Sequence, residues 1–282
     1  MRNVAKKLFG LCLLLFIIGV AGLGWLFSKQ EQFAFSLKTI DEARTIEQKV
    51  KALDLSVDTT DVLIKKSGTG STLVRLVGET AEDDVKRIQF ESNVDVDGTL
   101  HVSVRKPMQF RPFFMGNGHL RVEVVLPEKV YDSVSLETAT GDIRSEAITA
   151  KDAKVTSSTG DIDIAGFTGD RLTLETDTGD MKLLNIQSAL TIESSTGDVS
   201  KLVLSELSRN VDIRTDTGDI RLSTENKPAE AKLELQTDTG DISVDWPGLN
   251  YEQKEEHYVK ASIGSGGSIL SVKTSTGDIR IQ

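Results

Sequence analysis

From about residue 52 onward, apolar and polar positions alternate with a period of two. Leu53, Leu55 and Val57 show it first, then Leu73, Val74 and Leu76, then Leu120, Val122 and Val124. Such alternation puts every second side chain on one face of an extended strand. No long amphipathic helix interrupts it, so the pattern predicts β-structure for most of the chain. Two segments of different character come first. Residues 30–50 are polar without sustained periodicity and read as a stalk, with a short helix near 41–49. Residues 8–27 are an uninterrupted apolar stretch of 20 residues.

Beyond residue 130 the alternation becomes a repeat. Thr-Gly-Asp followed by an aliphatic residue occurs seven times, with glycines Gly141, Gly160, Gly179, Gly197, Gly218, Gly240 and Gly277 at successive gaps of 19, 19, 18, 21, 22 and 37 residues. The flanks repeat as well. Seven and five residues before each glycine stand apolar residues, as Leu172 and Leu174 do before Gly179. Two and usually four residues after it stand two more, as Met181 and Leu183 do; Ser145 and Lys201 break this last column. Each unit therefore reads as strand, bend, strand. The inward parity changes across the bend, which calls for the backbone dihedrals open to glycine.

One unit of ~19 residues cannot bury its apolar side, but units stacked at the ~4.8 Å strand spacing can. The expected fold is all-β, a parallel β-helix or β-solenoid over residues 131–282, with residues 52–130 as a β-rich lead-in. Seven coils would make a rod on the order of 35 Å long. The segment holding Leu53, Leu55, Val62 and Ile64, with Thr60 in the glycine slot, fits as a degenerate early unit. An eighth Thr-Gly-Asp at 168–170 lacks the flanking pattern and reads as an ordinary turn. The wide final gap reads as a loop inserted at 245–268.

At ~1.5 Å per residue the apolar stretch 8–27 would span roughly 30 Å, the hydrocarbon thickness of a bilayer. Arg2, Lys6 and Lys7 precede it. The positive-inside rule then predicts a single-pass anchor in the cell membrane, with residues 1–7 cytoplasmic and the C-terminal domain extracytoplasmic. The rival is a cleaved signal peptide, with small residues Val20, Ala21 and Gly22 at the cut. A net charge of -10 argues against a nucleic-acid partner. The single cysteine, Cys12, lies within 8–27, so the rest of the chain has no disulfide framework.

Three groups of residues carry candidate chemistry. The first is the aspartate column Asp142, Asp161, Asp180, Asp198, Asp219, Asp241 and Asp278. In register these carboxylates lie ~5 Å apart and repel by roughly 1 kcal/mol per neighbour even in water. Backbone amides at the bends would relieve that; calcium shared between successive turns is the alternative. The second is the hydroxyl column three residues before each glycine, among them Thr138, Ser157, Thr176 and Ser194. It suits a ladder at the bend, or, if it faces outward, an array that orders water. The third is the basic and aromatic segment 105–116, with Arg105, Lys106, Phe110, Arg111, Phe113 and Phe114. Its composition suits a loop capping the rod, or a contact for a partner or a membrane interface. Only His101, His119 and His257 are available as histidines, and neither HExxH nor G-x-S-x-G occurs. No catalytic residue and no cofactor is assigned. The chain reads as non-enzymatic, the alternative being a calcium-dependent, polysaccharide-active β-helix.

The repeated Ser/Thr-x-Thr-Gly-Asp-Ile motif with its β-rich lead-in resembles the DUF4097 "putative adhesin" family over roughly residues 50–282. The whole layout is similar to the LiaG-type membrane-anchored proteins of Firmicute cell-envelope stress operons. The resemblance implies a β-helical exported domain without assigned catalytic residues. It would act as an adhesin-like binding or scaffold module at the cell envelope, linked to the stress response, with an envelope polymer or envelope protein as partner.

Overall fold

The computed structural model of the chain describes residues 10, 12–22, 24, 37–106 and 118–282. Its 22 strands form one continuous hydrogen-bonded sheet, wound as a solenoid. Coils are designated by the residue at their bend. On the side before the bends, Ala52–Val57, Val130–Thr140, Ile148–Thr159, Phe167–Thr178, the later part of Met181–Thr196 and Val211–Thr217 lie parallel and in sequence order. On the side after the bends, Asp61–Ser67, Ile143–Ser145, Ile162–Ile164, the start of Met181–Thr196, Val199–Leu204 and Ile220–Thr224 do the same.

The expected pile of equivalent aliphatics is present. Leu172 pairs with Ala153 on one side and Leu190 on the other, and Leu174 with Val155 and Ile192, all of them buried. Both breaks in the last aliphatic column have local causes. Ser145 is buried and donates its hydroxyl to the Glu146 carbonyl (2.7 Å). At Lys201 the register slips, so that Leu202 rather than Lys201 faces Leu183. This β-bulge turns the lysine outward and keeps a leucine in the core.

A third, short side was not expected. Along Ile148–Thr159 both Ala150 and Ala153 are buried, which strict alternation forbids, so the strand turns a corner between them. The eighth Thr-Gly-Asp, at 168–170, lies on this short side inside the strand Phe167–Thr178 and is not a turn. A Cβ on Gly169 would lie 1.9 Å from the Ala150 carbonyl oxygen and 2.8 Å from the Phe167 ring. That glycine is therefore kept for close packing.

The lead-in belongs to the same stack. Thr99–Arg105 pairs in parallel with Ala52–Val57, and Leu120–Pro127 with Asp61–Ser67, so they form one more coil beyond Thr60. Antiparallel strands close that end: Gln89–Val94 lies on Thr99–Arg105, Thr72–Ala81 on Leu120–Pro127, and Leu37–Ile46 on Thr72–Ala81. Residues 41–46, expected within a short stalk helix, thus belong to a ten-residue strand. Pairing to a neighbour overrides the local preference there. Arg44 seals the corner, its guanidinium 4.3 Å above the Phe90 ring and donating to the Phe90 carbonyl (2.9 Å).

The opposite end departs most from expectation. Residues 245–268, expected as a loop, hold the antiparallel strands Asn250–Lys254 and Tyr258–Ile263, the second laid against Ala231–Thr239. Val259, Ala261 and Ile263 from this hairpin are buried, and Trp246 closes the end of the core at 5% exposure. After the hairpin the chain turns back. Its last coil, Ser268–Thr276 and Ile279–Ile281, enters between the Gly218 and Gly240 coils.

The membrane-spanning helix expected over 8–27 is a correction. Among the described residues, no helix is long and apolar enough to cross a membrane. Residues 8, 9, 11, 23 and 25–27 lie outside the described residues. The single-pass membrane location, and the cell membrane as a partner through 8–27, are not supported.

Candidate functional site

The bends form the most regular feature of the molecule. Every bend glycine has φ between 139° and 153°. In every bend except that of Gly240, which ends the stack, the glycine N–H donates to the threonine carbonyl of the adjoining coil, as Gly160 does to Thr178 (3.0 Å). The aspartates form a second ladder whose donors run the opposite way, from each coil's amide back to the carboxylate of the coil before it. Asp61 Oδ1 accepts from the Asp142 amide (3.1 Å), Asp142 from Asp161 (3.1 Å), Asp161 from Asp180 (2.9 Å) and Asp180 from Asp198 (2.9 Å). The series continues through Asp219 (2.8 Å), Asp278 (2.9 Å) and Asp241 (2.9 Å). Each carboxylate up to Asp278 thus faces the amide of the adjoining coil, where its own bend had been expected to supply the donor. Arg144, Arg221 and Arg280 hold the second oxygens of Asp142, Asp219 and Asp278 at 2.7–2.9 Å. These charge-assisted bonds offset the repulsion along the column. Among the described residues, no group of three or more His, Cys, Asp or Glu side chains is arranged to hold a metal ion.

The hydroxyl column faces inward. Thr138, Ser157, Thr176, Ser194, Thr215, Thr237 and Thr274 are all buried. Thr237 and Thr274 donate to the glycine carbonyls of adjoining coils, Gly277 (3.0 Å) and Gly218 (3.3 Å). An outward water-ordering array at these positions is therefore excluded by their orientation.

The outer surface of the long-strand side is polar and continuous from coil to coil. An open groove of about 510 Å³ crosses the coils Gly160 to Gly218, lined by Thr156, Ser158, Glu175, Asp177, Glu193 and Arg214 among others. Lys154 pairs with Glu175 (2.9 Å) and Arg214 with Asp212 (2.8 Å). Asp177, Glu193 and Asp216 have no ion-pair partner among the described residues. Residues 131–282 carry 27 Asp and Glu against 15 Lys and Arg, so this stretch is more negative than the whole chain at -10, and residues 1–130 are slightly basic.

The basic and aromatic segment occupies a defined place in the topology. It connects Thr99–Arg105 to Leu120–Pro127, where other coils have their bend. Arg105 is exposed at the end of its strand. Lys106 lies 3.6 Å from the buried Asp84 and so helps hold the end cap, a role the sequence did not announce. Phe110, Arg111, Phe113 and Phe114 lie outside the described residues.

Two histidines close structural gaps that the repeat pattern does not mention. His257 Nδ1 is 3.0 Å from the carbonyl of Gly240 and caps the last bend of the column. His101 bridges two carboxylates on the outer face, with Nδ1 2.9 Å from Asp54 and Nε2 3.2 Å from Asp95. Both ring nitrogens can donate only in the imidazolium. Hydrogen bonding to Asp95, opposed by partial burial and helped by Asp54, raises the His101 pKa above its ordinary value. A raised folded-state value means that the contribution is complete below the unfolded pKa and fades as pH rises through the folded one. The melting temperature is expected to fall modestly from pH 6 toward pH 8.5, and His101→Gln should flatten that dependence. Parallel slopes for the two proteins in a pH series of melts would rule the bridge out as its source.

Among solved structures, the chain is similar to a "putative cell adhesion protein" from Clostridium sporogenes ATCC 15579, at 14% identity and TM-score 0.42, covering 86% of this chain and 99% of that one. It is also similar to a "putative adhesin" from Bacteroides fragilis NCTC 9343, at 15% identity and TM-score 0.44, covering 88% and 97%. A third, a "Putative lipid binding protein" from Parabacteroides distasonis ATCC 8503, is at 12% identity and TM-score 0.36, covering 86% and 96%. A search of curated proteins gives no match. The family model described as Toastrack DUF4097 matches residues 50–282, without singling out LiaG-type members. That span begins just ahead of the Thr60 coil and takes in every Thr-Gly-Asp bend of the ladder, and the chain belongs to the Toastrack DUF4097 family.

Proposed function

We propose that this chain is a non-enzymatic, adhesin-like binding module, and that its recognition surface is the outer face of the long-strand side. The supporting observation is the groove across the Gly160 to Gly218 coils, where unpaired carboxylates and hydroxyls recur on a backbone fixed by coil-to-coil hydrogen bonds. A face of this kind is pre-ordered along its length, so an extended partner binds without the cost of ordering the protein. The ligand class that fits its chemistry is an extended polymer presenting cationic and hydroxyl groups. The ladder, by contrast, is poorly suited to acid–base catalysis. Each of its carboxylates up to Asp278 is already engaged by the amide of the adjoining coil, whereas a general acid or base must reach a proton of the substrate.

The reading is tested by retention of the full chain on immobilised chitosan and on chitin, its N-acetylated counterpart. Stronger retention on the amine-bearing polymer is expected, weakening with salt. The double variant Asp177→Asn, Glu193→Gln should bind about tenfold more weakly, which corresponds to ~1.4 kcal/mol, with melting unchanged. Equal retention of variant and unaltered chain would place recognition elsewhere. New reducing ends in the polymer, lost on substitution of a single aspartate, would overturn the non-enzymatic reading.

A further inference from the structure

The chain does not stack its coils in the order in which it makes them. The Gly277 coil comes last of the repeats in sequence yet sits inside the stack, between the Gly218 and Gly240 coils. Ser268–Thr276 pairs in parallel with Val211–Thr217 on one side and Ala231–Thr239 on the other. Ile279–Ile281 likewise lies between Ile220–Thr224 and Ile242–Val244. The position it fills is therefore a slot whose two walls are both built by earlier residues.

The slot's requirements are specific. Leu270, Val272, Ile279 and Ile281 are buried in it. Its occupant must carry glycine at the bend and an aspartate that links Asp219 to Asp241 in the ladder. In strand pairing among the described residues, the Gly240 coil reaches the rest of the rod only through this occupant. The segment leading into the slot is Gly264, Ser265, Gly266 and Gly267, with φ of +64° at Gly264 and +81° at Gly266. Such a sequence can redirect the chain at little steric cost.

We propose that this slot is a strand-exchange site, and that its second occupant is the Gly277 coil of another copy of this chain. Another copy carries the same coil and the same slot. Reciprocal insertion would reproduce each hydrogen bond and each buried contact made within one chain, and only the hinge would change course. The balance between the two forms is set by protein concentration against the effective concentration at which the hinge presents its own coil. Exchange would join two rods at their hairpin-capped ends and present two outer faces on one particle.

Glu234 and Ser271 are register partners across one wall of the slot. A chain with Glu234→Cys is mixed with one carrying Ser271→Cys, both with Cys12→Ser, and the two are unfolded and refolded together at high concentration. A disulfide-linked pair of unlike chains is expected by mass under non-reducing conditions. The chain carrying both cysteines shows whether the positions can bond. If that control closes internally and the mixture yields no linked pair, the proposal is overturned. In a second arm, deletion of Gly266 and Gly267 shortens the hinge, so that the coil no longer reaches its own slot. Light scattering should then show dimers as the main species, and a folded monomer would overturn the proposal independently.

Discussion

Gly179→Ala is expected to destabilise the protein by at least about 4 kcal/mol, the range reserved for backbone clash and strain acting together. In a chain of this size that is a fall in melting temperature of roughly 8–16 °C. Gly179 has φ +147°, which an L side chain rarely adopts, and its added Cβ would lie 2.1 Å from the Gly160 carbonyl oxygen and 2.6 Å from its carbon. The obstacle is backbone, so no side chain can swing away. The coil spacing cannot relax locally either, because the ladder joins Asp161 to Asp180 and Asp180 to Asp198 on either side. Gly248→Ala separates the two causes. Gly248 has φ +78° but nothing within 4 Å of an added Cβ, so it should cost only the strain, about 1–2 kcal/mol. Thermal melts of the two variants side by side decide the matter. If Gly179→Ala melts within a degree or two of Gly248→Ala, the contact between successive bends is not what selects glycine.

The same comparison explains how much of this fold could be read in advance. The Thr-Gly-Asp spacing, with aliphatics such as Leu172, Leu174, Met181 and Leu183 at constant offsets, dictates the shape of a coil, and those residues do stack. What the repeat does not encode is which coil lies on which. The coils are nearly interchangeable, so order depends on connections and caps: the hairpin of Asn250–Lys254 and Tyr258–Ile263 reverses the chain and sends the last coil inward. The coil of Thr99–Arg105 and Leu120–Pro127 escaped notice because its bend carries no Thr-Gly-Asp. In the candidate site, the aspartate column was visible as a column. Its donors were not, because the amide that reaches Asp161 belongs to Asp180, nineteen residues on. His101 and His257 were seen only as isolated histidines. Their partners Asp54, Asp95 and Gly240 come from other strands and bends, and no local spacing signals such meetings.

Trp246→Ala is expected to cost about 3–5 kcal/mol, the range for removing a buried tryptophan from a core. Trp246 is 5% exposed and packs at the end of the aliphatic column, where no further coil follows the Gly240 unit. Loss of the indole would open that end to water. In a stack held by nearest-neighbour contacts the damage should stay local. Amides of the Gly240 coil and its hairpin, residues 231–263, should therefore exchange hydrogen much faster, while those of the Gly160 and Gly179 coils keep their protection. Trp246→Phe should behave differently from an ordinary truncation. The buried indole Nε1 has no hydrogen-bond partner among the described residues, and an unsatisfied buried donor costs about 1–3 kcal/mol. Phenylalanine gives up some apolar area but removes that donor, so the two changes nearly cancel. Hydrogen exchange read by mass spectrometry distinguishes the cases. If Trp246→Phe loosens 231–263 as much as Trp246→Ala does, then the indole N–H is doing something for the cap that its geometry does not reveal. If Trp246→Ala loosens the Gly160 and Gly179 coils equally, the rod melts as one unit and the nearest-neighbour account of its stability is wrong.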